Sequence, residues 1–336
     1  MLEDLQSLTA GAFGGARHQL DAIAGGPALS RLDTLGRMRV DGPDAVSFLQ
    51  TQLTNDVADL GANALQLNGY CTAKGRMLAT FHQWRDGDDV MLQLPAEILA
   101  SVMKRLSMFV LRSKAKVTDA SAEHVAYGLV GPGATRLLQS AGIEAPDAPW
   151  SMTRADGLRI ARMPAAPAVA ERYLVVADTG TDPSSRLGLA NAAEAVWWWS
   201  EVAAAVPTVF AATQERFVPQ MINFEVLGGV SFKKGCYPGQ EIVARSQYLG
   251  RLKRRMHPGH ADVTQPPAAG SDVYHSAQTE PLGTVVMSAM APGGGVDLLF
   301  ELPVDRLGTG ELHLGGAGAT RIDVRPLPYA LFDPTA

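Results

Sequence analysis

Along the first two hundred residues one order of elements occurs twice, and beyond about Met256 helical periodicity stops. Apolar spacing separates the two regimes, because a helix repeats near every fourth residue and a half-buried strand every second. A strand is expected over Leu32 to Val40, then turn and helix-start chemistry at Asp41-Gly42-Pro43-Asp44. Val46, Leu49, Gln50 and Leu53 fall at helical spacing, so Asp44 to Leu53 reads as a short amphipathic helix. Strands follow at Leu65–Cys71, Met77–Trp84 and Val90–Leu94, the last two joined by the hairpin signal Arg85-Asp86-Gly87-Asp88. A helix from Pro95 to Phe109 closes the unit. The second pass gives a strand at His124–Val130, a turn at Gly131-Pro132-Gly133 and a helix at Ala134–Ser140. Strands near Ser151–Thr153, Leu158–Arg162 and Tyr173–Ala177 and a helix at Glu194–Ala205 complete it. In the last part, apolar runs at Gly283–Met287, Val296–Phe300 and Thr320–Val324 alternate with Gly/Pro-rich turns, the pattern of a small antiparallel barrel or sandwich.

The fold class expected is therefore α+β: two related α+β domains plus a small C-terminal antiparallel β-barrel. The boundaries expected are 26–120 with a return segment at about 206–255, then 121–205, then 256–331. The first 25 or so residues read as a loose helical lead ended by Gly25-Gly26-Pro27. With 46% hydrophobic residues in 336, a sizeable core can be buried. The formal charge of -5 argues against a nucleic-acid-coating protein. Glu3 and Asp4 stand where a signal peptide carries a basic region, and no apolar run reaches bilayer length. The expectation is a cytoplasmic protein with neither membrane nor direct nucleic-acid partners.

Cys71 and Cys236 are the only cysteines, too few for a disulfide framework or for a four-thiolate cluster or zinc site. Any bound cluster would need outside ligands. Walker A, dinucleotide GxGxxG, HExxH and CxxC patterns are absent, and the seven histidines show no metal-ligand spacing. His82, in a strand, reads as a satisfied or exposed imidazole.

The densest signal is Phe217 to Arg255, centred on Ser231-Phe232-Lys233-Lys234-Gly235-Cys236-Tyr237-Pro238-Gly239-Gln240-Glu241. Pro then Gly in Tyr237-Pro238-Gly239-Gln240 is the type II turn arrangement. Gly235 permits an unusual backbone angle before Cys236, and Glu241–Tyr248 reads as a helix with Ile242, Val243 and Ser246 available for burial. A nearby lysine and a following helix N-terminus both favour a thiolate, so Cys236 is either a reactive thiol or a small buried residue. Three consecutive tryptophans, Trp197 to Trp199, cannot share one helix stripe, so at least one should face a cleft or solvent.

The run LGGVSFKKGCYPGQEIVAR resembles the signature of the YgfZ family, within the superfamily of the glycine-cleavage T-protein, a tetrahydrofolate-dependent aminomethyltransferase. GPDAVSFLQTQLTND at 42–56, YCTAKGRMLATF at 70–81, FVPQMINFEVLGG before the signature and PLPYALF near the C-terminus extend the resemblance over most of the chain. The resemblance implies the domains arranged around a central folate-binding channel. It implies Lys234 and Cys236 as the residues that matter for activity, and a site drawn from Tyr237, Gln240 and Glu241 of the signature with Trp197 flanking the folate. Leu35 stands where such a protein can carry a second flanking tryptophan. The partners implied are folate and iron–sulfur proteins or their assembly factors.

The chain departs from the aminomethyltransferase pattern at Gly75-Arg76-Met77-Leu78-Ala79, where the catalytic acid is missing. Ala203-Ala204-Ala205 replaces the Glu-x-Gly that meets the pterin. The resemblance thus implies a tetrahydrofolate-binding accessory protein for iron–sulfur assembly or repair, supporting enzymes such as tRNA-modifying ones, rather than a self-sufficient enzyme. A folate-dependent one-carbon transferase is the alternative, and a scaffold with a vestigial pocket a third. Asn55-Asp56 is either a helix exit or an acid presented to the channel, and Lys74-Gly75-Arg76 a hairpin tip or a contact for the folate tail. Arg251, Lys253, Arg254 and Arg255 read as a solvated face or an anion-attracting cluster.

Overall fold

The computed structural model describes residues 17–248 and 252–331. Residues 17–22 are helical, in line with a helical lead; the earlier part of that lead and Arg251 lie outside the described residues. Strand β1 (Ala28–Arg31) stands at the head of the segment expected to form the first unit, yet it pairs in the second sheet.

The first unit contains β2 (Leu35–Asp41), α1 (Ala45–Gln50), β3 (Leu65–Cys71), β4 (Met77–Asp86), β5 (Asp89–Pro95), α2 (Ala96–Val110) and β6 (Lys116–Asp119). Its five strands lie in the order β3-β4-β5-β2-β6. In α2, Ile98, Leu99, Val102 and Leu106 recur at helical spacing and pack on the outer face of this sheet.

The second unit contains β7 (His124–Val130), α3 (Ala134–Ser140), β8 (Met152–Ala155), β9 (Leu158–Arg162), β10 (Arg172–Asp178), α4 (Pro183–Leu187), β11 (Asn191–Ala192) and α5 (Ala195–Ala203). The strand order is β11-β1-β7-β10-β9-β8. Period-two alternation sorts its side chains. Tyr127, Leu129, Tyr173 and Val175 join an outer cluster with Leu138 of α3, whereas Ala126, Val130, Leu174 and Val176 enter a central core.

Helix α6 (Gln240–Tyr248) precedes a closed barrel of β12 (Arg254–Ala261), β13 (Asp272–His275), β14 (Gly283–Met290), β15 (Val296–Pro303), β16 (Leu312–Leu314) and β17 (Thr320–Val324). Closure removes the exposed edges that an open sandwich would leave. Residues 326–331 of the PLPYALF segment form no strand. They reach back so that the Tyr329 hydroxyl donates to the Ala205 carbonyl at 2.9 Å. No helix among the described residues is long and apolar enough to cross a membrane.

The central core draws on both sheets, α5 and the barrel, with Trp84, Trp197, Trp199, Phe217, Phe224 and Leu299 among its members. The closest fit in it is Trp197 on Gly128 of β7, where an added Cβ would stand 2.2 Å from a ring carbon. Neither partner can retreat without disturbing a strand or a helix. Gly128→Ala is therefore expected to destabilise the fold by roughly 1–3 kcal/mol, read as a lower urea midpoint. An unchanged midpoint would show that the indole can shift.

Candidate functional site

Helix α5 walls a cleft against the inner face of the first sheet. Its three indoles take different roles, as consecutive helical positions must. Trp199 is buried and its N–H donates to Asp297 of the barrel at 2.9 Å. Trp198 is half-buried, donates to Glu194 at 3.1 Å and packs obliquely on Phe210. Trp197 is 1% exposed. Besides Gly128 it meets the Arg172 guanidinium, 5.4 Å from the ring centroid.

Arg172 is itself wholly buried. It donates to Ser200 Oγ at 3.0 Å, to the Pro164 carbonyl at 2.8 Å and to the Glu201 carboxylate. Glu201 is one helical turn beyond Trp197, on the same face of α5.

The cleft is narrow, with a cavity volume of only about 20 Å³. That is room for about one water molecule and far below the range of small-molecule sites, so a bicyclic ligand would have to part its walls. Trp197, Trp198, Glu201 and Thr208 line one side, and Leu35, Thr80, His82, Gln93 and Pro95 the other. Leu35 and Trp197, the two residues expected to flank the folate, thus meet in one cleft. The tryptophan run also meets its expectation, though Trp198 offers more surface than Trp197.

Other readings are corrected. His82 is neither satisfied nor exposed: its Nε2 is buried without a partner, and burial holds its pKa down at about 4. Ala203-Ala204-Ala205 does leave the helix end without an acid, but Glu201 supplies a carboxylate to the same cleft. Sequence reasoning missed Glu201, Gln93 and Trp198. The available signals were the four-residue spacing from Trp197 and a glutamine inside the apolar run Val90–Leu94.

The signature stands elsewhere: none of residues 233–241 lines the cleft. Tyr237, Gln240 and Glu241 are therefore not brought together with Leu35 and Trp197. The type II turn forms as expected. Gly239 has φ +81°, and the Gln240 N–H donates to the Tyr237 carbonyl at 3.1 Å. A Cβ on Gly239 would meet the Thr72 carbonyl at 2.4 Å and the Gly75 nitrogen at 2.5 Å, so the turn docks on the β3–β4 hairpin tip. Gly235 makes no use of left-handed backbone.

Lys234 is buried, and its Nζ donates to the carbonyls of Leu53 at 2.6 Å and Asn55 at 2.9 Å. The ammonium is thereby an anchor to the first unit, whereas the sequence suggested a partner for the sulfur. It also lies 5.4 Å from the Tyr237 ring centroid. Burial lowers its pKa to about 8, opposed by the Asp56 carboxylate. Asp56 itself accepts from Gln50 Nε2 at 2.9 Å and from the Ala58 N–H at 3.1 Å, which makes it a helix exit.

Tyr237 is buried, and burial pushes its phenol upward. Cys236, between these two buried side chains, is exposed and free. Cys71 is buried, and burial drives its thiol up to about 12, an inert group. Helix α6 begins at Gln240, one residue before the expected start, and buries Val243 and Gln247 while Ile242 stays exposed. Arg254 and Arg255 do not form a solvated face: Arg254 pairs with Glu301 at 2.6 Å and buried Arg255 with Glu225 at 2.5 Å.

This architecture is that of the aminomethyltransferase class. The glycine cleavage system aminomethyltransferase T from Bartonella henselae superposes with a TM-score of 0.72 at 17% identity, covering 93% of this chain and 88% of that one. Residues 10–169 match the family model of the GCVT N-terminal domain. The tRNA-modifying protein YgfZ of Pectobacterium carotovorum is 30% identical over 316 residues, 91% of this chain and 93% of the relative. That of Cronobacter sakazakii is 31% identical over 303 residues, 87% and 90%. The chain belongs to the YgfZ family.

Lys234 gives a pH signature. Below pH 8 folded and unfolded chains both carry the ammonium and its burial cost is fully present; between pH 8 and 10.5 the unfolded chain still holds the proton that the folded one has lost. Stability from this residue therefore rises with pH across that window. Relative to Lys234→Met, the wild type should gain on the order of 1–3 kcal/mol between pH 8 and 10.5 in urea titrations. A constant difference would mean that the lysine titrates as if solvated.

Proposed function

We propose that this protein binds a reduced folate, tetrahydrofolate or a close relative, and serves as an accessory factor for iron–sulfur cluster assembly or repair. Enzymes that depend on such clusters, tRNA-modifying ones among them, would be its beneficiaries. The observation that carries the reading is the cleft itself: an indole-walled slot in which three buried polar atoms, Nε2 of His82 and both side-chain heteroatoms of Gln93, have no partner among the described residues. Those features suit a flat heterocycle with a polar edge. Leu35, Trp197, Trp198 and Glu201 would hold it. When bound, tetrahydrofolate supplies an electron-rich bicycle able to carry one-carbon units.

Against the rival, a one-carbon transferase, stands the chemistry of β4. Leu78 and Ala79 are buried and apolar. The carboxylate lining the cleft, Glu201, is bound to Arg172 and is poorly placed to exchange protons. Cys236 offers an exposed sulfur on a braced turn, suited to meet a partner's cluster or thiol.

Added tetrahydrofolate is expected to quench tryptophan emission; no quenching and no calorimetric heat would sink the folate reading. Cys236→Ala should keep the melting temperature and that quenching but lose the cellular function. Full complementation of a deletion strain by this variant would remove the cysteine from the mechanism. Clear turnover in one-carbon transfer to tetrahydrofolate would favour the rival.

A further inference from the structure

Two polar side chains on the sheet side of the cleft are left unsatisfied by the chain that carries them. Gln93 on β5 is 2% exposed, and neither its amide nitrogen nor its carbonyl oxygen has a hydrogen-bond partner. His82 stands directly opposite on β4 with its Nε2 also buried and unpartnered. Register partners share a sheet face, and both residues line the cleft.

An unmet buried polar group is costly, because it gives up its hydrogen bonds to water and gains none in return. Three orphaned atoms in adjacent residues are far above the usual sparse scatter of such groups. The row runs from apolar Leu67 on β3 through His82 and Gln93 to buried Arg37 on β2, whose Nε and Nη1 also lack partners but which does not line the cleft. The cost is explained if the missing partner is a ligand.

We propose that Gln93 and His82 form the hydrogen-bonding floor that reads the polar edge of the pterin ring; this rests on the folate reading above. A primary carboxamide offers one acceptor and two donors in a plane. The lactam edge of a 2-amino-4-oxo pteridine offers an N–H beside a carbonyl, which such a group complements. His82 is uncharged at neutral pH because burial, with Arg172 nearby, holds its pKa down at about 4. Its Nε2 therefore supplies a single neutral donor or acceptor. Trp150, 5.9 Å away between ring centroids, packs against the imidazole.

The test separates recognition from structural support. Gln93→Met and His82→Leu nearly keep volume and remove polarity. Calorimetry with tetrahydrofolate under anaerobic conditions should show each affinity falling at least about tenfold, the worth of one good hydrogen bond. The ligand-free melting temperature should stay level or rise by about 2–4 °C, because unmet polar atoms have been deleted. A residue serving the fold would move it downward. Wild-type binding with unchanged affinity in both variants overturns this inference and leaves the folate reading intact. Absence of binding by the wild type overturns both.

Discussion

A guanidinium with no access to solvent holds the wall of the cleft in place. Arg172 leaves β10, meets the Glu201 carboxylate and the Ser200 hydroxyl of α5, and lies against the Trp197 ring. Buried ion pairs add little net stability, because desolvation offsets much of the attraction. They do penalise every arrangement that breaks them. Helix α5 therefore has one acceptable rotation and height over the second sheet. That placement seats Trp197 on Gly128, turns Trp198 toward the cleft and sends Trp199 to the barrel.

A second buried cation does comparable work for the signature. Lys234 has no carboxylate in its hydrogen-bonding shell and relies on two carbonyl oxygens at the exit of α1. Together with Tyr237 it pins the turn at both sides of Cys236, so the sulfur is exposed without being loose. The contrast with Cys71 is environmental: the same side chain, sunk in hydrocarbon, has its ionisation suppressed.

Where periodicity was strong, the fold was legible in the residues. His124–Val130, Ala134–Ser140 and Thr320–Val324 form the elements expected over those spans. Short strands such as Leu312–Leu314 and Lys116–Asp119 escape notice because three or four residues carry too little pattern; barrel closure decides the first and pairing with β2 the second. Strand β1 shows another limit of local reading, since its partners β7 and β11 both lie about a hundred or more residues away along the chain. In the site, local turn chemistry was legible, as Gly239 demonstrates. Destinations of long side chains were not: Lys234 turns inward to carbonyls, and Arg255 to Glu225, where sequence proximity suggested a sulfur and a solvated face. His82 was misjudged because a strand's alternation does not reveal whether a side-chain nitrogen finds a partner once the sheet is covered.

The cleft and the sulfur occupy different places, yet one element touches both. The β3–β4 hairpin docks the signature turn at its tip, where Gly239 packs on Thr72 and Gly75. The same β4 strand then supplies Thr80 and His82 to the cleft. A paired strand in a five-stranded sheet transmits displacement poorly but position well, since ladder hydrogen bonds fix its register. The geometry therefore favours a static relation: a ligand in the cleft would brace β4, and β4 braces the turn that presents Cys236. Energetic coupling between the two places would have to pass through this hairpin or through the packed core behind it, and the hairpin is the shorter route along the chain.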